Sequence, residues 1–361
     1  MKDQRSASPG FKPVLFLSGL IATGLFSSPV AADNWADRIN LTGFMSAKYQ
    51  KISKDNFFNG DDYTGIGKDG SFRGTMIGLN LTAPIDDRIT IFSQFLATQE
   101  DDSYVSHLDW GFIAVGLTDE FTIRAGKMKF PIGIVNEYIS VGNAYPWINP
   151  PMLFYTEEAS GANITREAYS GGSALWEYSR GDINMSADIF GGEITLGETQ
   201  VRNMAGAKIH LDWNEEISFQ ANYNRGTMHN TPMPVMEGLN HTTVALGMRI
   251  DWNNIIGYAE WADTDMETEI MNGNSWYTTL GYQMGDWLPH LTYQYFKRGE
   301  ESTSPQEQNM TTAGLRYDLS DVADLKFEYS IINTEKGQGL FENAPVDESI
   351  NRFGIAIDVV F

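Results

Sequence analysis

The last twelve residues, "INRFGIAIDVVF", place Phe353, Ile355, Ile357, Val359 and Phe361 on one parity and Arg352, Gly354, Ala356, Asp358 and Val360 on the other. The same beat recurs upstream. "INMSADIFGG" sets Ile183, Met185, Ala187 and Ile189 against Asn184, Ser186 and Asp188, and "ISFQANYNRG" sets Ile217, Phe219, Ala221 and Tyr223 against Ser218, Gln220, Asn222 and Asn224. Successive side chains of a β-strand point to opposite faces, so this alternation predicts strands with one apolar and one polar face. Sixteen segments carry it, at 38–50, 72–82, 88–99, 105–117, 121–132, 168–180, 183–193, 201–213, 217–228, 240–252, 255–265, 275–285, 290–299, 309–319, 325–335 and 350–361. Each is 10 to 13 residues long. Strands of soluble sheets usually have about five or six residues, whereas a tilted strand needs ~9–11 to cross a bilayer.

The connections also alternate. Short turns follow the even segments: "APIDD", "TDE", "GD", "NEE", "NN", "DWLP" and "SDVAD". Longer loops follow the odd ones, at 51–71, 100–104, 133–167, 194–200, 229–239, 266–274, 300–308 and 336–349. Short turns on one side and long loops on the other predict an all-β transmembrane antiparallel barrel of sixteen strands. Closure explains the terminus. Strand 350–361 pairs with strand 38–50, leaving no edge and no unsatisfied backbone group in the hydrocarbon. Trp213, Trp252 and Trp287 stand where strands enter short turns, as an interfacial aromatic girdle requires.

Composition narrows the setting. Residues 1–32 have Lys2, Arg5 and Lys12, then the apolar run "VLFLSGLIATGLF" and the small residues before Ala32, which predicts a cleaved signal peptide. That run is too short to span a bilayer as a helix, which takes about 20 residues. The barrel domain is then 33–361. The leader holds three Lys/Arg and one Asp, leaving 22 basic against 46 acidic side chains, a charge of −24. This balance argues against nucleic-acid partners, which select basic surfaces. There are no cysteines, so neither disulfides nor thiolate chemistry is available.

On the polar, inward parity the segments carry Arg88, Arg124, Lys208, Arg249, Arg298, Arg316, Lys326 and Arg352. Against them stand Asp109, Glu177, Asp188, Asp212, Asp251, Glu260, Asp318, Glu328 and Asp358. Eight against nine predicts a wall with little selectivity of its own, stiffened by cross-strand pairs such as Lys326 with Asp318. The functional residues are expected at the narrowest point. Loop 133–167 is by far the longest and reads "NEYISVGNAYPWINPPMLFYTEE" from Asn136, an apolar content suited to packing inside the barrel. Just before it, "FTIRAGKMKFPIG" brings Arg124, Lys127 and Lys129 together, and the loop supplies Glu137, Glu157 and Glu158. These six form the predicted constriction, a basic ladder facing carboxylates across the pore. Lys127 and Lys129 share the parity of outward Ile123, so they reach the lumen only if a bulge shifts the register.

"RAGKMKFPIG" resembles the wall motif of the phosphate-selective porin O and P family and its relatives, in which a basic-Gly-basic stretch and Phe-Pro-x-Gly lead into the third loop. Sixteen strands, a long third loop and a terminal Phe are similar to Gram-negative porins generally. The resemblance implies a homotrimeric outer-membrane channel for small hydrophilic solutes or ions, bedded in lipid and lipopolysaccharide, with no cofactor. The terminal Phe also resembles the sorting signal of bacterial outer-membrane proteins. Acidic stretches "EDD" at 100–102, "DTDMETE" at 263–269 and "EE" at 300–301 predict a negative outer mouth. An enzyme reading finds little support. His107, His210, His229, His241 and His290 lie in no nucleophile motif, and "GIGKDG" at 65–70 lacks P-loop spacing. A barrel blocked by its third loop, serving adhesion or structure, and a lipid-modifying enzyme remain the alternatives.

Overall fold

The structure, a computed structural model, describes residues 38–53, 66–100, 103–155, 168–196, 199–231, 234–268, 272–300, 305–334 and 349–361. The expected leader, residues 1–32, lies outside them, as do Glu157 and Glu158. Sixteen antiparallel strands close into one barrel, each paired with its sequence neighbours and the last with the first. They are β1 (Asn40–Ile52), β2 (Met76–Pro84), β3 (Ile89–Glu100), β4 (Ser103–Gly116), β5 (Phe121–Lys129), β6 (Ala168–Arg180), β7 (Ile183–Leu196) and β8 (Thr199–Trp213). The second half comprises β9 (Ile217–His229), β10 (Asn240–Trp252), β11 (Ile255–Asp265), β12 (Gly273–Tyr282), β13 (Trp287–Arg298), β14 (Gln306–Ser320), β15 (Ala323–Thr334) and β16 (Ile350–Val360).

The seam sits where the terminal alternation places it. Phe44 faces Val360 and Ile52 faces Arg352 across β1 and β16. Beyond the last ladder pair, Gly43 N–H donates to the Phe361 carbonyl at 2.7 Å and Phe361 N–H donates back to Gly43 at 2.9 Å. A Cβ on Gly43 would fall 2.5 Å from the Phe361 ring, so the glycine leaves room for the terminal aromatic.

The two faces invert the order of a soluble protein. Outward positions are apolar and exposed, as at Leu41, Ile189, Ile209, Leu246 and Leu280. Inward positions are polar and buried: Lys48 and Gln50 on β1, Asn222 and Asn224 on β9, Lys326, Glu328 and Ser330 on β15. Trp213, Trp252 and Trp287 project outward beside short turns, about half exposed, the position of a girdle.

Strand ends depart from the alternation in two directions. β3 and β4 reach within two residues of each other, with Glu100 opposite Ser103, and β7 and β8 do likewise, with Leu196 opposite Thr199. The longer loops expected at 100–104 and 194–200 therefore shrink. Strands that rise past the hydrocarbon need no apolar outward residue, so the hydropathy beat stops before the hydrogen-bond ladder does. β5 instead stops at Lys129, short of 132, because Pro131 has no N–H to donate.

A charge on the outer face tests this assignment. Leu246→Arg, midway along β10, is expected to destabilise the barrel by about 2–4 kcal/mol, the usual range for Arg at the bilayer midplane. Urea unfolding in lipid vesicles reads this directly; an unchanged midpoint would contradict a lipid-facing Leu246.

Candidate pore constriction

Most of the long loop after β5 is described, and it lies against the inner wall. Single turns of 3-10 helix at Asn136–Tyr138 and Gly142–Ala144 and the short helix α1 (Met152–Tyr155) give it local order. Its backbone is satisfied by wall side chains. Gln220 and Asn222 of β9 donate to the Gly133 and Pro131 carbonyls, each at 2.9 Å, and Ile134 N–H donates to Glu260 of β11 at 2.7 Å. Arg316 of β14 donates to the carbonyls of Asn143 at 2.7 Å and Tyr145 at 3.1 Å. Ile148 N–H donates to Glu328 of β15 at 2.9 Å, and Leu153 N–H to Gln294 of β13 at 3.0 Å. A buried loop must pair its backbone groups, and here the wall supplies the partners.

Side chains complete the anchorage. The Trp147 indole N–H reaches Thr279 and Thr292 at 3.1 and 3.0 Å, and its ring packs 4.7 Å from that of Tyr258. Glu260 accepts from the hydroxyls of Tyr155 and Tyr277. Lys48 of β1 donates to Asn149, which donates in turn to Gln50. At Gly142 the loop backbone lies so near the wall that a Cβ there would collide with Asp358 Oδ1 and Ser46 Oγ. The Gly142 carbonyl accepts from Lys326 Nζ at 2.6 Å.

That lysine heads a buried ionic cluster. Lys326 Nζ is 2.9 Å from Asp358 and 3.6 Å from Asp324, while Arg316 contacts Asp318 at 2.6 Å and Asp324 at 3.3 Å. The expected pair of Lys326 with Asp318 is therefore not made. Lys326 stands directly across from Arg316, which takes Asp318 along its own strand and leaves Lys326 to the carboxylates of β15 and β16. Arg352 pairs with Glu328 at 2.8 Å.

All these bonds lie on β9–β16 and β1. Opposite them, along β1–β8, a cavity of about 110 Å³ remains, its wall including Arg124, Glu177, Asp188 and Lys208 with Glu137 from the loop. Arg124 reaches inward to Asp188 at 2.5 Å and Ser173 at 2.9 Å. Lys129 reaches inward to Asp109 at 2.7 Å. This follows from a register shift between β3 and β4 at Gln94/Phe95, which turns Asp109 and Trp110 inward together. Beyond the Gly111–Lys127 pair, β5 has no ladder partner on β4 and is held by β6 alone, with Lys129 opposite Ala168. The Lys127 ammonium donates to the Leu108 carbonyl at 3.0 Å, and Lys127 does not line the cavity. Glu137 pairs at 2.5 Å with Lys208 of β8 rather than with the β5 ladder. Glu157 and Glu158 fall outside the described residues. Lys48 and Asp324 belong among the lumenal charges although the parity reading omitted them. Lys48 shares the parity of Ser46 and Gln50, and Asp324 lies one residue before the expected start of its strand. Among the described residues, no group of three or more His, Asp or Glu converges as a metal site would.

Removing one member of the buried cluster exposes its value. Lys326→Met leaves Asp324 and Asp358 facing each other without their ammonium, and a stability loss of about 3–5 kcal/mol is expected. The unfolding midpoint of the purified barrel measures it, and a loss below about 1 kcal/mol, the level of an exposed pair, would show the cluster to be solvated.

A family model described as Gram-negative porin matches residues 19–337. The chain matches no curated protein at a significant level. Among solved structures it is similar to OmpF of Salmonella typhi in complex with daunomycin (TM-score 0.61, 14% identity, 91% of this chain and 99% of that one). It is also similar to the anion-selective porin from Comamonas acidovorans (0.61, 12%, 90% and 99%) and to the outer membrane channel DcaP of Acinetobacter baumannii (0.58, 12%, 90% and 97%). At these identities the structural likeness speaks for the fold. The family match, spanning most of the chain, goes further and agrees with the closed sixteen-stranded barrel: the chain belongs to the Gram-negative porin family.

Proposed function

We propose that the protein is a passive diffusion channel of the outer membrane for small hydrophilic solutes and ions, narrowed by loop 133–167. The observation that carries this reading is one-sided anchorage. Apart from Glu137 on Lys208 of β8, the loop's bonds to the wall go to β9–β16 and β1, and a cavity is left along β1–β8. Arg124, Lys129, Glu137, Glu157 and Glu158 belong to the proposed constriction, with Lys208 as the wall partner of Glu137. Lys127 supports the wall from outside it. The likeness of "RAGKMKFPIG" to phosphate-selective porins is read as kinship of the wall alone, because Arg124 and Lys129 are each taken by a carboxylate.

The charge pattern favours cations. Arg124–Asp188, Lys129–Asp109 and Lys208–Glu137 neutralise one another, and Glu177 is a further carboxylate on the cavity wall. The acidic outer stretches add a field that concentrates cations at the mouth. A homotrimer surrounded by lipid and lipopolysaccharide is the proposed assembly, supported by the trimer form in which OmpT of Vibrio cholerae, a structural likeness at 11% identity and TM-score 0.56, is described.

Purified protein in a planar bilayer under a KCl gradient provides the test. Stepwise conductance with a cation-preferring reversal potential is expected, and Glu177→Gln is expected to move that potential toward zero. An anion-preferring potential would overturn the electrostatic reading. Absence of any conductance would overturn the channel itself and favour a barrel blocked by its loop, a reading to which the near-complete burial of residues 139–155 lends weight.

A further inference from the structure

The lumenal cavity is more than an aqueous gap. Porin interiors are polar, yet β3 and β4 turn aromatic rings inward. Phe92 and Phe112 stand opposite each other with ring centroids 5.3 Å apart, and Trp110 continues the row 5.8 Å from Phe112. The Arg124 guanidinium lies 5.9 Å from the Phe112 ring centroid, and Met128 and Tyr169 extend the apolar surface. These residues share one wall of the cavity.

Buried within the residues that form this wall are polar atoms without partners among the described residues. Trp110, 4% exposed, has an indole N–H that donates to nothing. Asp188, 2% exposed, gives one oxygen to Arg124 and leaves Oδ1 unpaired, and the Asn80 side-chain carbonyl is also unpaired. Buried polar groups are almost always hydrogen-bonded, and each exception calls for an occupant or a water. All three residues line the same cavity. Its size sets the upper limit: at about 110 Å³ it is smaller than the ~150 Å³ closed cavity that admits a benzene ring, so no more than one ring enters it.

We propose that this cavity is a solute subsite for a single-ring aromatic compound bearing a hydroxyl or amino group. The ring lies against Phe92, Phe112 and Trp110. Its donors meet Asp188 Oδ1 and the Asn80 carbonyl, and a ligand oxygen accepts from the Trp110 N–H. Acceptors outnumber donors on this wall, and Glu177 adds a further carboxylate. Aromatic carboxylates are disfavoured, because Arg124 and Lys129 are already paired. A transport role for the subsite rests on the channel reading; binding does not.

Saturation-transfer NMR on the full barrel in detergent tests binding, with tyramine as probe and benzoate and cyclohexylamine as comparisons. Saturable tyramine binding, stronger than that of either comparison, is expected, with affinity about tenfold weaker in Trp110→Leu and intermediate in Trp110→Phe, which keeps a ring but loses the donor. Asn80→Ala, on a different strand, provides a second weakened variant should either Trp110 substitution fail to fold. Equal binding by wild type and variants, or none beyond that of the comparisons, would overturn the subsite and leave water as the occupant. The bilayer measurement separates the two readings. Conductance without tyramine binding refutes the subsite alone, and binding without conductance refutes the channel alone.

Discussion

A backbone that crosses hydrocarbon must satisfy every N–H and C=O within itself, and everything else in this structure depends on that constraint. Sixteen strands meet it only as a closed ring, so the seam between β1 and β16 completes the barrel. The reciprocal bonds between Gly43 and Phe361 extend the seam to the terminal residue. Closure then fixes which parity meets lipid and which is sealed inside. It also confines whatever the third loop does to a space with fixed walls.

Within those walls the loop takes the place of a hydrophobic core. Trp147, Phe154 and Tyr155 are almost wholly buried, and they pack on the inward rings of Tyr258 and Tyr277. Around this knot the wall is ionic, and burying charges is favourable only when their partners are well placed. The cluster of Arg316, Asp324, Lys326 and Asp358 meets that condition by sharing carboxylates among two cations and by using loop carbonyls as further acceptors. The loop and the cluster are therefore mutually dependent. Because all the anchoring side chains but Lys208 sit on one side, a cavity remains on the other, and residues with aromatic rings and with unpaired polar atoms line it together.

Much of this is legible in the sequence. Alternation located all sixteen strands because a barrel wall between lipid and lumen enforces a strict two-residue period on side-chain polarity. Loop 133–167 stood out by length and by "YPWINPP", since an apolar loop of that size has to be buried somewhere. The candidate site was less visible. Arg124 followed from parity, but Lys129 depended on the shift at Gln94/Phe95, and Glu137 found Lys208 on a strand remote in sequence. Phe92, Trp110 and Phe112 gave no functional signal, because an aromatic on a strand reads the same whether it faces lipid, a girdle or a cavity.

The sequence by itself determined the class of fold, the polarity of the two faces, the strand closing the ring and the loop destined for the interior. These are local properties, set by a period of two and by the composition of each segment. Only the tertiary structure decided which carboxylate each cation meets, which side of the lumen the loop occupies and where the remaining space lies. Those depend on register and on contacts such as Lys326 with Gly142, 184 residues apart, and side-chain periodicity within a strand carries no information about its partners' heights.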